Sequence, residues 1–185
     1  ISFARLTAAD VMADSIDINQ ALYFTLQLAG QSLPVALPLL GVHNVDNALA
    51  AAAAAHAVGI ELDVIQQGLQ ATTAVPGRMK GVVGRNGVLV IDDAYNANPN
   101  SLRAAINALY GLKNFRRRVL VMGDMLELGE SAVAHHQDVA RYAKQQGVET
   151  LLTYGSLSAA CADVFGEGCT HFTSHEALLG QLQSL

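Results

Sequence analysis

Apolar and polar positions change their rhythm twice along the chain. Residues 1–40 read as β structure. Ala21–Leu28 is a strand-like apolar run, Ala29-Gly30-Gln31-Ser32 reads as a turn, and Leu33–Leu40 resumes an extended run broken by Pro34 and Pro38. Proline has no N–H for a sheet ladder and is tolerated at an edge, so the pattern predicts an antiparallel meander with an edge strand. Between residues 44 and 57 the spacing turns helical. Asn44 suits the N-cap, the run Ala50–Ala55 favours helix, and Gly59 can end it in a left-handed conformation. A second helix is predicted over about 62–71, with Leu62, Ile65 and Leu69 on one face. Val75-Pro76-Gly77 then breaks the chain, which places a domain boundary there and divides it into residues 1–78 and 79–185.

Beyond that break, strand and helix alternate. Gly81-Val82-Val83 and Val88–Ile91 flank Gly84-Arg85-Asn86-Gly87, a hairpin signal. A helix is predicted from Pro99 to about Tyr110, with Asn98 as its N-cap and proline at the first helical position. Val119–Met122 reads as a buried strand, Ser131–Gln146 as a helix, Thr150–Thr153 as a strand, and Ser158–Phe165 as a helix. His171-Phe172 is a short strand candidate before a last helix from Ser174. This order implies an α/β fold with a mostly parallel sheet covered by helices.

Composition narrows the class. Of 185 residues, 51% are hydrophobic and 15% charged, which excludes a disordered tail. The net charge of −5 argues against a broad basic face for nucleic acid. No segment approaches the ~20 strongly apolar residues of a membrane span. Cys161 and Cys169 lack C-x-x-C spacing and read as reduced thiols in or near a core, so the expected setting is the cytoplasm. The chain opens on Ile1-Ser2-Phe3, like the middle of a strand, and stops inside a helical pattern, so it is expected to be a piece of a longer protein.

In an open parallel sheet, ligands bind beyond the carboxyl ends of the strands. That rule selects the loops Asp92–Ser101 (DDAYNANPNS), Gly123–Gly129 (GDMLELG) and Tyr154-Gly155-Ser156. Asp92 and Asn98 each suit a turn or cap, but ten residues carry more polar groups than caps consume. Carboxylates can hold ribose hydroxyls, an ammonium group or a metal, and side-chain amides can read a peptide backbone. No G-x-x-x-x-G-K-[ST] occurs, and none of Lys80, Lys113 and Lys144 follows a glycine. Gly81, Gly84 and Gly87 lie in a hairpin and are no dinucleotide fingerprint. No metal site and no complete catalytic constellation is read in these residues. A non-catalytic α/β binding module stays open on this ground.

Four segments then converge on one resemblance. His43-Asn44-Val45-Asp46-Asn47-Ala48-Leu49-Ala50-Ala51 resembles the H-N-x-x-N-A-x-A-A segment of the Mur ligases, and Val75–Met79 resembles their P-G-R segment. Asp92–Ser101 and Gly123–Gly129 are similar to the loops of the family members that add D-alanyl-D-alanine. His136-Gln137-Asp138-Val139 fits a further H-x-x-V-G helix, except that Ala140 replaces the glycine. The resemblance implies the end of a central ATPase domain at residues 1–78, with its β meander and helices. A Rossmann-like C-terminal domain, truncated, would follow at 79–185. The family's K-G-S-R loop is missing from the sequence, and its P-loop and metal ligands would lie in the rest of the central domain.

The implied reaction is ATP-dependent amide formation through an acyl phosphate, joining D-alanyl-D-alanine to UDP-N-acetylmuramoyl-tripeptide in peptidoglycan precursor synthesis. ATP and Mg²⁺ would be held mainly outside this chain, which would be inactive alone, and the ligase would be a monomer. By the same resemblance, Asn44 and Asn47 sit near adenine, and Arg78 and Asp93 meet the nucleotide's phosphate and ribose. Tyr95, Asn96, Asn98, Ser101, Asp124 and Glu127 line the nucleotide–dipeptide side of the cleft. A folylpolyglutamate synthase shares the domain plan and is the competing enzyme reading.

Overall fold

The computed structural model describes residues 1–18, 21–112 and 115–185; residues 19–20, inside the expected β region, lie outside that description. The chain falls into two compact units, Ile1–Tyr95 and Asn96–Leu185.

The first unit opens with strands β1 (Phe3–Ala4), β2 (Val11–Ile18), β3 (Leu22–Leu28) and β4 (Gln31–Leu37), in the order β1-β2-β3-β4. The expected meander is β2-β3-β4, paired antiparallel. β1 departs from it, because it runs parallel to β2. The Asp10 carboxylate accepts from the backbone N–H and hydroxyl of Ser2, and the Val11 N–H donates to the Ser2 carbonyl, which brings the two short ends together. On β3, Leu22, Phe24, Leu26 and Leu28 are buried while Tyr23, Thr25 and Gln27 face outward, the period-two alternation of a half-buried strand. Pro34 lies in the edge strand β4, as its missing N–H requires, and Pro38 lies beyond it.

Helix α1 (His43–Ala57) buries Val45, Ala48, Leu49, Ala52 and Ala53, spaced so that one face meets the sheet. Alanines on that face let the helix approach the strands closely. Asn44 is not the N-cap: the helix starts one residue earlier, and Val42 holds the cap position without a side-chain bond. The turn at Gly41 (φ +85°) makes a cap dispensable, because the Asn44 and Val45 N–H groups donate to the Gly41 and Val42 carbonyls. The other end follows expectation. Gly59 (φ +83°) donates to the His56 carbonyl and Ile60 to that of Ala55, a Schellman closure. Helix α2 (Leu62–Gln70) buries Ile65 and Leu69. Its Gln66 amide donates to the Pro34 carbonyl and its Gln70 carbonyl accepts from the Ala36 N–H, so two glutamines satisfy backbone groups of the edge strand.

Strands β5 (Lys80–Val83) and β6 (Leu89–Asp92) form a two-stranded antiparallel sheet turned by Asn86 and Gly87, both left-handed. This corrects one expectation: the strand before the DDAYNANPNS loop belongs to the hairpin and not to the parallel sheet. The hairpin also lies within the first compact unit, past the boundary expected at 78/79.

The second unit holds α3 (Pro99–Gly111), β7 (Val119–Met122), α4 (Ala132–Gln145), β8 (Thr150–Tyr154), α5 (Cys161–Phe165), β9 (Cys169–Phe172) and α6 (His175–Gln183). Its sheet is wholly parallel, in the order β7-β8-β9. Ile106, Met122, Met125, Val139, Ala140, Ala143, Leu151, Cys161 and Phe165 form its core. Ala140 is fully buried there.

Candidate functional site

In the first unit the candidate residues fall into two groups. The first is at the start of α1. Asn44 Nδ2 donates to the Leu40 carbonyl at 2.7 Å, and Asn47 Nδ2 donates to Asn44 Oδ1 at 3.0 Å. Asn44 is therefore held by the backbone and in turn aims Asn47, which is exposed. Gly41 turns the chain beneath them at φ +85°, a conformation L side chains rarely adopt, and a Cβ there would force the His43 imidazole to shift.

The second group is a clasp between the Pro76-Gly77-Arg78-Met79 turn and the segment 92–95. Asp92 accepts from the Gly77 N–H at 3.0 Å and from the Ala94 N–H at 3.2 Å. Asp93 Oδ1 accepts from the Met79 N–H at 3.0 Å, and the Tyr95 N–H donates to the Gly77 carbonyl at 3.0 Å. Gly77 (φ +73°) has no room for a Cβ, which would press on Tyr95. On this base the exposed Arg78 guanidinium lies 4.4 Å from the Tyr95 ring centre. Arg78, Asp93 and Tyr95 are thus brought together by main-chain bonds that spacing alone does not reveal. Burial pushes the Asp93 carboxyl above its ordinary value; the Met79 N–H and the nearby His43 and Arg78 oppose that rise, and Asp92 adds to it.

In the second unit, Asn98 caps α3: its Oδ1 accepts from the N–H groups of Asn100 and Ser101, and Ser101 Oγ accepts from the Asn98 N–H. The local capping expected of Asn98 is present, and Ser101 completes a reciprocal box. Asn96 is exposed.

Asp124 sits at the carboxyl end of β7. Its carboxylate accepts from the N–H groups of Leu157 at 3.1 Å and Ser158 at 2.8 Å, and from the Ser156 hydroxyl at 3.4 Å. Gly155 (φ +122°) runs so close that any Cβ there would overlap that carboxylate. Two of the selected loops are therefore tied to each other by this one side chain. Glu127 is exposed at the tip of its loop, in a left-handed conformation (φ +62°) uncommon for a glutamate.

Partial burial raises the Asp124 carboxyl, but the N–H groups of Ser158 and Leu157 and the Ser158 hydroxyl outweigh it and hold it below the ordinary aspartate value. A depressed folded-state value stabilises the fold above the unfolded value, and that contribution is lost as pH falls through the folded one. Asp124→Asn should therefore narrow its stability gap to the parent as pH drops below about 4, measured by urea unfolding at stepped pH. A gap that widens on acidification would reverse the assignment.

Sequence reasoning read Asp92 as a turn or cap residue, Gly155 as part of a selected loop and His136 as part of a family helix, and gave none of them the role that the geometry does. The doubled aspartate hinted at the first. Burial of the imidazole, which identifies the last, has no signature in a single sequence. Burial pushes the Cys161 thiol up to about 12, with Cys169 and Asp124 adding to it, so it is an inert core group. Among the described residues, no three His, Cys, Asp or Glu side chains are grouped to hold a metal ion. No helix among them is long and apolar enough to cross a membrane.

A parallel sheet whose carboxyl-end loops carry fixed carboxylates, preceded by a meander-and-helix unit, defines an α/β protein of the Rossmann-like kind. Residues 77–185 match the Mur ligase, glutamate ligase domain. The chain is 41% identical over 178 residues, 96% of its length, to the UDP-N-acetylmuramoyl-tripeptide–D-alanyl-D-alanine ligase of Escherichia coli (strain K12). It superimposes on MurF from Acinetobacter baumannii with a TM-score of 0.87 at 33% identity, over 98% of this chain and 39% of that one. The fold is also that of MurF ligase from Thermotoga maritima in complex with ADP, with a TM-score of 0.83 at 19% identity, over 98% of this chain and 41% of that one. The chain belongs to the Mur ligase family. It spans about two fifths of the length of such relatives, 39% of the E. coli enzyme.

Proposed function

We propose that this chain is part of an ATP-dependent ligase that adds D-alanyl-D-alanine to UDP-N-acetylmuramoyl-tripeptide in the cytoplasm. Residues 1–78 are the end of its ATP-binding domain, and 79–185 belong to its C-terminal domain. The observation that carries this reading is the 41% identity, maintained over 96% of the chain, to an enzyme named for that reaction.

In this reading the tripeptide carboxylate attacks the γ-phosphate of ATP, giving an acyl phosphate and ADP. The dipeptide amine then attacks the acyl carbon, and the tetrahedral intermediate collapses with loss of phosphate. Negative charge builds on phosphoryl oxygens, so fixed cations contribute most. Mg²⁺ offsets that charge when bound, and its ligands are proposed to lie outside this chain. Arg78 offers the planar fork suited to phosphate oxygens, held in place by Tyr95. Asp93 keeps Oδ2 for a ribose hydroxyl while Oδ1 is bonded to the Met79 N–H. Asn47 presents its amide to the adenine edge, with Asn44 as its support.

The remaining candidates divide by what their side chains already do. Asn98, Ser101 and Asp124 are engaged within the protein and shape the loops. Tyr95, Asn96 and Glu127 are exposed and are the groups proposed to meet substrate. The test is the product. The full-length protein with ATP, Mg²⁺, the tripeptide nucleotide and D-alanyl-D-alanine should yield, by mass spectrometry, the tripeptide nucleotide extended by one dipeptide less one water. The 185-residue chain alone should yield none. Full-length protein that leaves both substrates unchanged would refute the proposal.

A further inference from the structure

The loop between β7 and α4 carries Asp124 and Glu127, and a buried histidine decides its path. His136, on α4, is fully buried. The Met125 N–H donates to His136 Nε2 at 2.8 Å, so Nε2 carries no proton. The ring proton is therefore on Nδ1, which donates to the Ala132 carbonyl, one helical turn back, at 2.7 Å. Both nitrogens are consumed and the imidazole is neutral, because a second proton on Nε2 would set two donors face to face.

The Met125 side chain is itself fully buried in the core that Val139 and Ala140 of α4 help to form. Asp124 beside it is fixed to the Leu157 and Ser158 N–H groups. With these two anchors set, Leu126 and Glu127 are left exposed at the tip, and Glu127 is kept at φ +62°. A non-glycine residue persists in that region only when its surroundings over-determine it.

We propose that His136 is a positioning residue: as the neutral Nδ1–H tautomer, it fixes residues 124–127 so that the Glu127 carboxylate meets the ammonium group of the incoming dipeptide. This rests on the ligase reading above. The reaction itself does not pass through His136, which acts only through the Met125 main chain.

Two measurements on the full-length protein test it. Long-range ¹H–¹⁵N imidazole correlation should show a protonated Nδ1 and a bare Nε2 at His136, and the Met125 amide should exchange slowly. His136→Leu should speed that exchange and raise KM for the dipeptide about tenfold, leaving kcat and KM for ATP within about threefold. His136→Gln, which can still accept from Met125, should restore both values to near the parent's. If His136→Leu does not fold, His136→Asn replaces it, since its amide reaches the Ala132 carbonyl but stops short of Met125. A protonated Nε2, or Met125 exchange unchanged in His136→Leu or its replacement His136→Asn, would overturn the proposal. So would a dipeptide KM that stays put while exchange accelerates, and the ligase reading would then stand. A parent protein without ligase activity would overturn that reading and the positioning role together; the imidazole and exchange results, which do not depend on activity, identify that case.

Discussion

Replacing Arg78 with alanine in the full-length protein is expected to lower kcat/KM for the proposed reaction by about 10²–10³-fold, the loss typical of a fixed group that meets charge developing in a transition state. The geometry makes the test clean. Arg78 is exposed, and its guanidinium contacts the exposed Tyr95 ring, so removing it costs the fold little. The clasp beneath it is built from main-chain groups of Gly77, Met79, Ala94 and Tyr95 with the carboxylates of Asp92 and Asp93, none of which the substitution touches. Arg78→Lys keeps the charge but loses the planar fork and should recover only part of the rate. Steady-state kinetics at saturating dipeptide measure both. A variant within about threefold of the parent would overturn the proposed phosphate role of Arg78, and the clasp would then be purely a structural closure.

Phe165→Ala is expected to destabilise the second unit by about 3–5 kcal/mol, a large fraction of the ~5–15 kcal/mol stability of a domain of ordinary size. Phe165 closes α5 almost without exposure and packs in the core with Cys161, which is fully buried. Lys144 Nζ donates to its carbonyl at 2.6 Å and lies 5.8 Å from its ring centre. Gly166 and Gly168, both left-handed, then turn the chain tightly into β9. Urea unfolding monitored by circular dichroism gives the value. A loss below about 1 kcal/mol would mean that the core relaxes freely and is less tightly packed than its burial indicates.

Much of this architecture could be read from pattern. Leu22, Phe24, Leu26 and Leu28 alternate as a half-buried strand must, and the left-handed Gly59 ends α1 where its position suggested. Pro99 after Asn98 marked the start of α3, because local chemistry decides a helix start whatever the rest of the fold does. What escaped the sequence were pairings and turns that spacing along the chain does not encode. β1 pairs parallel to β2 through Ser2 and Asp10, and spacing along a strand says nothing of that direction. Asn44 looked like a cap, yet the turn at Gly41 satisfies the first N–H groups and leaves Asn44 to hold Asn47.

The candidate site shows the same division. Residue types in the 92–101 and 123–129 loops signalled a ligand face, since carboxylates and amides are dense there. Which of them are spent internally was not legible. Asp124 is committed to Leu157 and Ser158, more than thirty residues along the chain. Asp92 is committed to Gly77. Arg78, Tyr95, Asn96 and Glu127 are exposed.

The most direct measurement is coupled ADP release by the full-length protein on two substrate pairs at equal concentrations. The expected result is ATP turnover that requires both UDP-N-acetylmuramoyl-tripeptide and D-alanyl-D-alanine, and none above background with folate and glutamate. Turnover with folate and glutamate instead, or with neither pair, would contradict it.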